Sequence, residues 1–200
     1  MIKAIVFDLG NVLIPFDYQR AIENFNKLEK GLGARFYRFA KDNYSLHREF
    51  EAGKISEDAF ITTMLRGMSS NVDREVFCKF YSDIFTLNED VIALLPILKN
   101  TYRLFLLSNT NSIHKKYGYE HYPFLKNFEK LFFSHEVGAV KPEKEFYGAV
   151  VEHSGLKPEE HIFIDDIEEY ALGAKQQGWD AIQFKGFEQL KSELIVRGLL

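Results

Sequence analysis

The chain has 200 residues, 46% of them apolar, enough to bury a full core as one domain or a domain with a modest insertion. Its 29 acidic and 25 basic residues leave a net charge of −4, which offers nucleic acid no basic footprint. The single cysteine, Cys78, excludes an intramolecular disulfide and reads as a small buried apolar side chain on a helix. No uncharged apolar stretch approaches the roughly 20 residues of a membrane helix. The opening apolar run meets Asp8 before a signal peptide's core would be complete, so the expectation is a soluble, cytoplasmic protein.

Residues 2–7 form a continuous apolar run rich in β-branched side chains and ended by Asp8-Leu9-Gly10-Asn11, the pattern of a strand buried on both faces. Helical periodicity with no convincing strand follows, over 21–28, 36–44, 56–65 and 72–85, with Ser56 as an N-cap ahead of Glu57 and Asp58. A further helix is expected over 87–99. Strand-like runs then fall at 103–107, 130–133, 161–164 and 181–184, separated by helices over 143–154, stopped by Gly155, and 168–177, closed by Gly178. Strand alternating with helix means an α/β fold with a parallel sheet. Residues 1–16 and 89–200 are expected to form that core, and residues 17–88 an all-helical insert after the first strand.

Ligands of an open parallel sheet bind beyond the carboxyl ends of its strands, so the polar residues that end the apolar runs come first. These are Asp8, Ser108 with Asn109, and Asp165 with Asp166. Taken singly, Asp8 reads equally well as a helix cap, Ser108 and Asn109 as a turn, and the acid pair as the start of a helix. Together they describe a small polar pocket built from distant segments.

The motifs Val6-Phe7-Asp8-Leu9-Gly10-Asn11, Leu107-Ser108-Asn109-Thr110-Asn111, Val140-Lys141-Pro142 and Ile164-Asp165-Asp166 occur in the order and spacing of the haloacid dehalogenase superfamily, which the chain resembles from residue 1 to about 185. The Asp-Leu-Gly-Asn-Val opening, Tyr122-Pro123 and the segment Phe50 to Ser56 are most similar to the branch containing bacterial α-D-glucose-1-phosphate phosphatases. The resemblance implies a Rossmann-like core with a helical cap of the C1 type and a phosphomonoester hydrolase that works through an aspartyl phosphate. It implies Asp8 as nucleophile, Ser108 and Asn109 as phosphoryl-oxygen donors, and Lys141 as the neutralising cation. Mg²⁺ is then expected between Asp8, the Gly10 carbonyl and Asp166, with Asp165 as an outer or alternate ligand. Crowded carboxylates repel one another unless a cation sits among them, which is the physical reason to expect a metal.

Two positions depart from the family pattern. Gly10 stands where many relatives carry a second aspartate that protonates the leaving group, and Tyr170 stands where Asn or Asp is usual. A leaving group that needs little protonation reconciles the first departure, which favours a sugar 1-phosphate. Tyr170 either donates to a carboxylate or packs beneath the site. Glu51, Gly53 and Lys54 fall where a cap would approach substrate, or in a plain turn. His114 reads as structural, solvated or substrate-binding, and Trp179 as packing at the start of the last strand. The expected partner is a small phosphorylated metabolite, with no nucleic acid or membrane, in a monomer or homodimer. A phosphomutase, a dehalogenase or a degenerate phosphate- or protein-binding module are the competing readings.

Overall fold

The computed structural model describes residues 1–200. Five strands, β1 (Ala4–Phe7), β2 (Arg103–Ser108), β3 (Lys130–Phe133), β4 (His161–Asp165) and β5 (Asp180–Gln183), form one sheet in the order β3-β2-β1-β4-β5. Every pairing is parallel. All five apolar runs are strands. Because side chains alternate along a strand, Ile5, Phe7, Leu106 and Ile164 join a cluster on one face. Ala4, Val6, Phe105 and Phe163 join a second cluster on the other. The central strand β1 is therefore buried throughout, as its unbroken apolar run requires.

Five helices follow β1 as the insert: α1 (Tyr18–Leu28), α2 (Leu32–Asp42), α3 (Tyr44–Glu51), α4 (Glu57–Gly67) and α5 (Arg74–Ser82). They close around a third apolar cluster that includes Phe25, Phe36, Phe60 and Tyr81, and Ile113 enters it from the segment after β2. Ser56 caps α4 as expected, its hydroxyl accepting from Ala59 N at 3.2 Å. Buried Cys78 sits on α5. After this insert come α6 (Glu89–Ile92) and α7 (Leu95–Leu98), then α8 (Ser134–Val137), α9 (Lys144–Ser154), α10 (Glu168–Gln176) and α11 (Phe187–Val196). A π-helical turn spans His114–Tyr119.

Three expectations need correction. The helix expected over 87–99 is two short ones, because Pro96 has no N–H to give the Ile92 carbonyl. The helix expected over 36–44 ends at Asp42, where Asn43 turns its side-chain amide back to the Phe39 carbonyl at 2.9 Å and α3 starts afresh. Helix α11 was not expected at all. No helix is long and apolar enough to cross a membrane.

The connections carry β2 and β3 to one side of β1 and β4 and β5 to the other. Strand order thus reverses between β1 and β4, and the crevice beyond their carboxyl ends is where an open α/β sheet takes its ligand.

Candidate active site

Asp8 follows β1 directly and is buried, and Asp165 ends β4 fully enclosed. Between them stands the ammonium of Lys141, with Nζ 2.6 Å from Asp8 Oδ1 and 2.6 Å from Asp165 Oδ2. The Phe163 and Tyr170 rings flank it, their centroids 5.3 and 5.2 Å from Nζ. Asn109 fixes the lysine's backbone from both directions: its Oδ1 accepts from Lys141 N at 2.8 Å, and its Nδ2 donates to the Lys141 carbonyl at 3.2 Å. The Asn109 side chain is thereby committed to holding Lys141, which leaves its backbone N–H as the group free to donate to a ligand.

Asp165 has both oxygens engaged, Oδ2 by Lys141 and Oδ1 by the Ile167 N–H at 2.8 Å. It orients the lysine more than it faces the crevice. Asp166 is half-buried, and its Oδ2 accepts from Asn11 Nδ2 at 3.1 Å. Asn11 takes a left-handed backbone (φ 54°), a conformation asparagine tolerates better than most residues, and it closes the turn that follows Asp8. This role of Asn11 was missed in the sequence, although a lone Asn after Asp-x-Gly is a turn signal.

Three carboxylates, Asp8, Asp165 and Asp166, place ligand oxygens within 4.8 Å of one another, against the single ammonium of Lys141. Burial, with the charges of Asp165 and Asp166, pushes Asp8 up to about 7 despite Lys141. Burial likewise raises Asp166, joined by the charge of Asp165 and opposed by Asn11 and Lys141. Burial alone would lower the Lys141 ammonium, but Asp165 and Asp8 hold it well above its ordinary value. The excess of negative charge on hard oxygen donors is what a divalent cation such as Mg²⁺ fits.

Asp8, Asn11, Ser108, Lys141 and Asp166 line one side of a cavity of about 400 Å³, within the usual range for a small-molecule site. The insert supplies the other side, including Tyr18, His47, Arg48 and Glu51. Glu51 therefore reaches the cavity, the first of the two readings of its segment. Lys54 is exposed, and Gly53, at φ 68°, packs where a Cβ would come within 2.6 Å of the His135 carbonyl. His47 and Arg48 were missed because nothing in the sequence marked α3 as a helix separate from α2. His114 is buried, stacked on Tyr81 at 4.2 Å with its Nδ1 3.2 Å from Ser82 Oγ, and burial holds it far below its ordinary pKa. Tyr170 packs its ring against Lys141, the second of its two readings. Trp179 stacks on His161 at 4.8 Å, as packing at the start of β5.

A carboxylate-and-lysine crevice at the switch point of a five-stranded parallel sheet, covered by helices inserted after β1, defines a class of hydrolases. A family model described as haloacid dehalogenase-like hydrolase matches residues 2–178, and the chain belongs to that family. A D-ribitol-5-phosphate phosphatase of Bacteroides thetaiotaomicron is 28% identical over 207 residues, spanning 98% of each chain. An HAD family enzyme from the same species, solved in complex with magnesium and inorganic phosphate, is similar at a TM-score of 0.81 and 30% identity, covering 95% of this chain and 99% of that one. An HAD-like family hydrolase of Porphyromonas gingivalis is similar at a TM-score of 0.78 and 27% identity, covering 98% of both chains.

Proposed function

We propose that the protein is a Mg²⁺-dependent phosphomonoesterase acting on a small sugar or sugar-alcohol phosphate, with Asp8 as nucleophile. The observation that carries this reading is the buried Asp8 carboxylate held by Lys141 at the rim of a cavity sized for a metabolite. A phosphate monoester dianion repels nucleophiles, so the site must position an oxygen and neutralise charge at once. Asp8 attacks phosphorus, the P–O bond to the leaving alcohol breaks, and the aspartyl phosphate that results is hydrolysed by water to return Asp8 and free phosphate. The Ser108 hydroxyl and the Asn109 backbone N–H donate to phosphoryl oxygens, while Lys141 holds Asp8 and offsets the accumulating charge. Asp8, Asp166 and the Gly10 carbonyl are the groups that would hold Mg²⁺, which when bound supplies positive charge to the phosphoryl oxygens. Asp165 serves by orienting Lys141.

We assign residues 1–16 and 89–200 to the catalytic core and 17–88 to a cap, supported by the separate apolar cluster of α1 to α5. The missing acid at Gly10 favours an ester whose alcohol leaves readily, such as a sugar 1-phosphate, whereas the relative from Bacteroides acts on an ester of a primary alcohol. A panel of both classes with Mg²⁺ and with EDTA tests the reading. Mg²⁺-dependent turnover of at least one class supports it, and its relative kcat/KM values choose between anomeric and primary esters. Metal-independent or absent turnover across the panel contradicts it.

A further inference from the structure

We infer that Glu51, clamped by His47 and Arg48, is the specificity-determining residue that reads the hydroxyl groups of a neutral, polyhydroxylated leaving group. This rests on the phosphatase reading above and names the side chain that selects its substrate.

Glu51 lines the cavity from the last turn of α3, across from the crevice that holds Asp8. Its Oε1 lies 3.3 Å from His47 Nε2, and its Oε2 lies 3.1 Å from Arg48 Nη1. The proton arrangement behind it follows from the ends of one chain of hydrogen bonds. Asn111 Nδ2, which can only donate, lies 3.4 Å from the Tyr81 hydroxyl, and that hydroxyl lies 3.0 Å from His47 Nδ1. An ionised carboxylate can only accept, so His47 donates its Nε2–H to Glu51 and accepts a hydrogen bond from the Tyr81 hydroxyl at Nδ1. The Glu51 carboxylate is thus positioned by a relay that begins in the segment following Ser108. Burial alone would raise Glu51, but its hydrogen bonds from His47 and Arg48 and the charge of Arg48 hold it below its ordinary value, so it remains an anion.

A carboxylate accepts about four hydrogen bonds, and two of these sites are taken by His47 and Arg48. The remaining lone pairs call for O–H donors. The charge of Arg48 is already matched by Glu51, to which Nη1 donates, while Nη2 reaches the Lys141 carbonyl at 3.5 Å. A carboxylate or second phosphate on the leaving group would meet the negative charge of Glu51, with Lys41, which also lines the cavity, as the cation outside the clamp. An apolar leaving group would strip water from the carboxylate and return no hydrogen bond. Tyr18 and Tyr170, which also line the cavity, offer ring surface to the C–H edges of a polyol. Arg48 also joins this end of the cavity to the loop of Lys141, so binding energy gained at the hydroxyls bears on the phosphoryl end.

The test compares wild type with Glu51→Gln on D-ribitol 5-phosphate, 6-phosphogluconate and p-nitrophenyl phosphate, with melting curves to establish that each variant folds. The expected result is a 10- to 100-fold fall in the ratio of kcat/KM for ribitol 5-phosphate over p-nitrophenyl phosphate, chiefly through KM, and a rise in the ratio for 6-phosphogluconate over ribitol 5-phosphate. Equal losses on all three esters, or unchanged ratios, overturn the proposal and leave Glu51 a structural residue. Should wild type hydrolyse no monoester, the phosphatase reading fails by itself. Calorimetry of ribitol 5-phosphate then decides the hydroxyl contact: weaker binding to Glu51→Gln upholds it, and equal binding overturns it.

Discussion

Lys141 Nζ lies 2.6 Å from Asp8 Oδ1 across 133 positions of sequence, with the ammonium enclosed and the carboxylate buried except where it faces the cavity. An ammonium enclosed in this way is tolerated because Asp165 supplies a second carboxylate at the same distance. The arrangement holds the proposed nucleophile in one place while leaving its other oxygen to the cavity.

Replacing Lys141 by Met should leave two buried carboxylates unpaired and destabilise the metal-free protein by about 3–5 kcal/mol. Mg²⁺ should restore more stability to the variant than to wild type, because it relieves the same repulsion. Urea unfolding with and without Mg²⁺ measures both effects, and equal stability of the two metal-free proteins would count against the electrostatic account.

Gly10 owes its place partly to Phe16. A Cβ added there would lie 3.2 Å from Phe16 Cε1 and 3.9 Å from Asp8 Oδ2, so an aspartate is directed toward the nucleophile but crowds that ring. The double variant Gly10→Asp with Phe16→Ala should gain about tenfold or more on a primary-alcohol phosphate, whose alkoxide needs a proton. It should gain little on p-nitrophenyl phosphate, whose leaving group does not. Equal gains on both esters would show that protonation is not what the site lacks.

His114 ties stability to pH. Folded, the buried imidazole stays neutral far below its ordinary 6.5, whereas the unfolded chain binds the proton there. Stability is therefore full above about pH 6.5 and falls by about 1.4 kcal/mol for each unit below it until the folded group titrates. His135 and His161, also lowered by burial, add to the same slope. Denaturant melts from pH 7.5 to 5 should show a shallower slope for His114→Gln than for wild type.

Burial pushes the Cys78 thiol up to about 11, so the native protein should resist iodoacetamide at pH 8. Labelling should proceed at the rate of unfolding and accelerate with urea. Fast labelling of native protein would mean that α5 opens locally.

The strands were legible because a parallel sheet covered on both faces demands unbroken apolar runs, and Ala4 to Phe7 with its four counterparts supplied them. The residues Asp8, Ser108, Asp165 and Asp166 were legible because they end those runs. Helix α3 was hidden by continuity: the apolar period of α2 runs on through Tyr44, and the break depends on a side-chain bond from Asn43 that no pattern records. Consequently His47 and Arg48 escaped notice, since their pairing with Glu51 at i+4 and i+3 exists only once α3 does. The commitment of Asn109 to the Lys141 backbone is likewise tertiary, linking positions 32 apart.

The most direct test of the central claim is acid-quenched single turnover with a phosphomonoester and Mg²⁺, followed by mass spectrometry of the peptide that contains Asp8. A phosphoryl group on Asp8 that forms and decays at rates compatible with kcat, and is absent from Asp8→Asn, is the predicted result. Undiminished turnover by Asp8→Asn would contradict it.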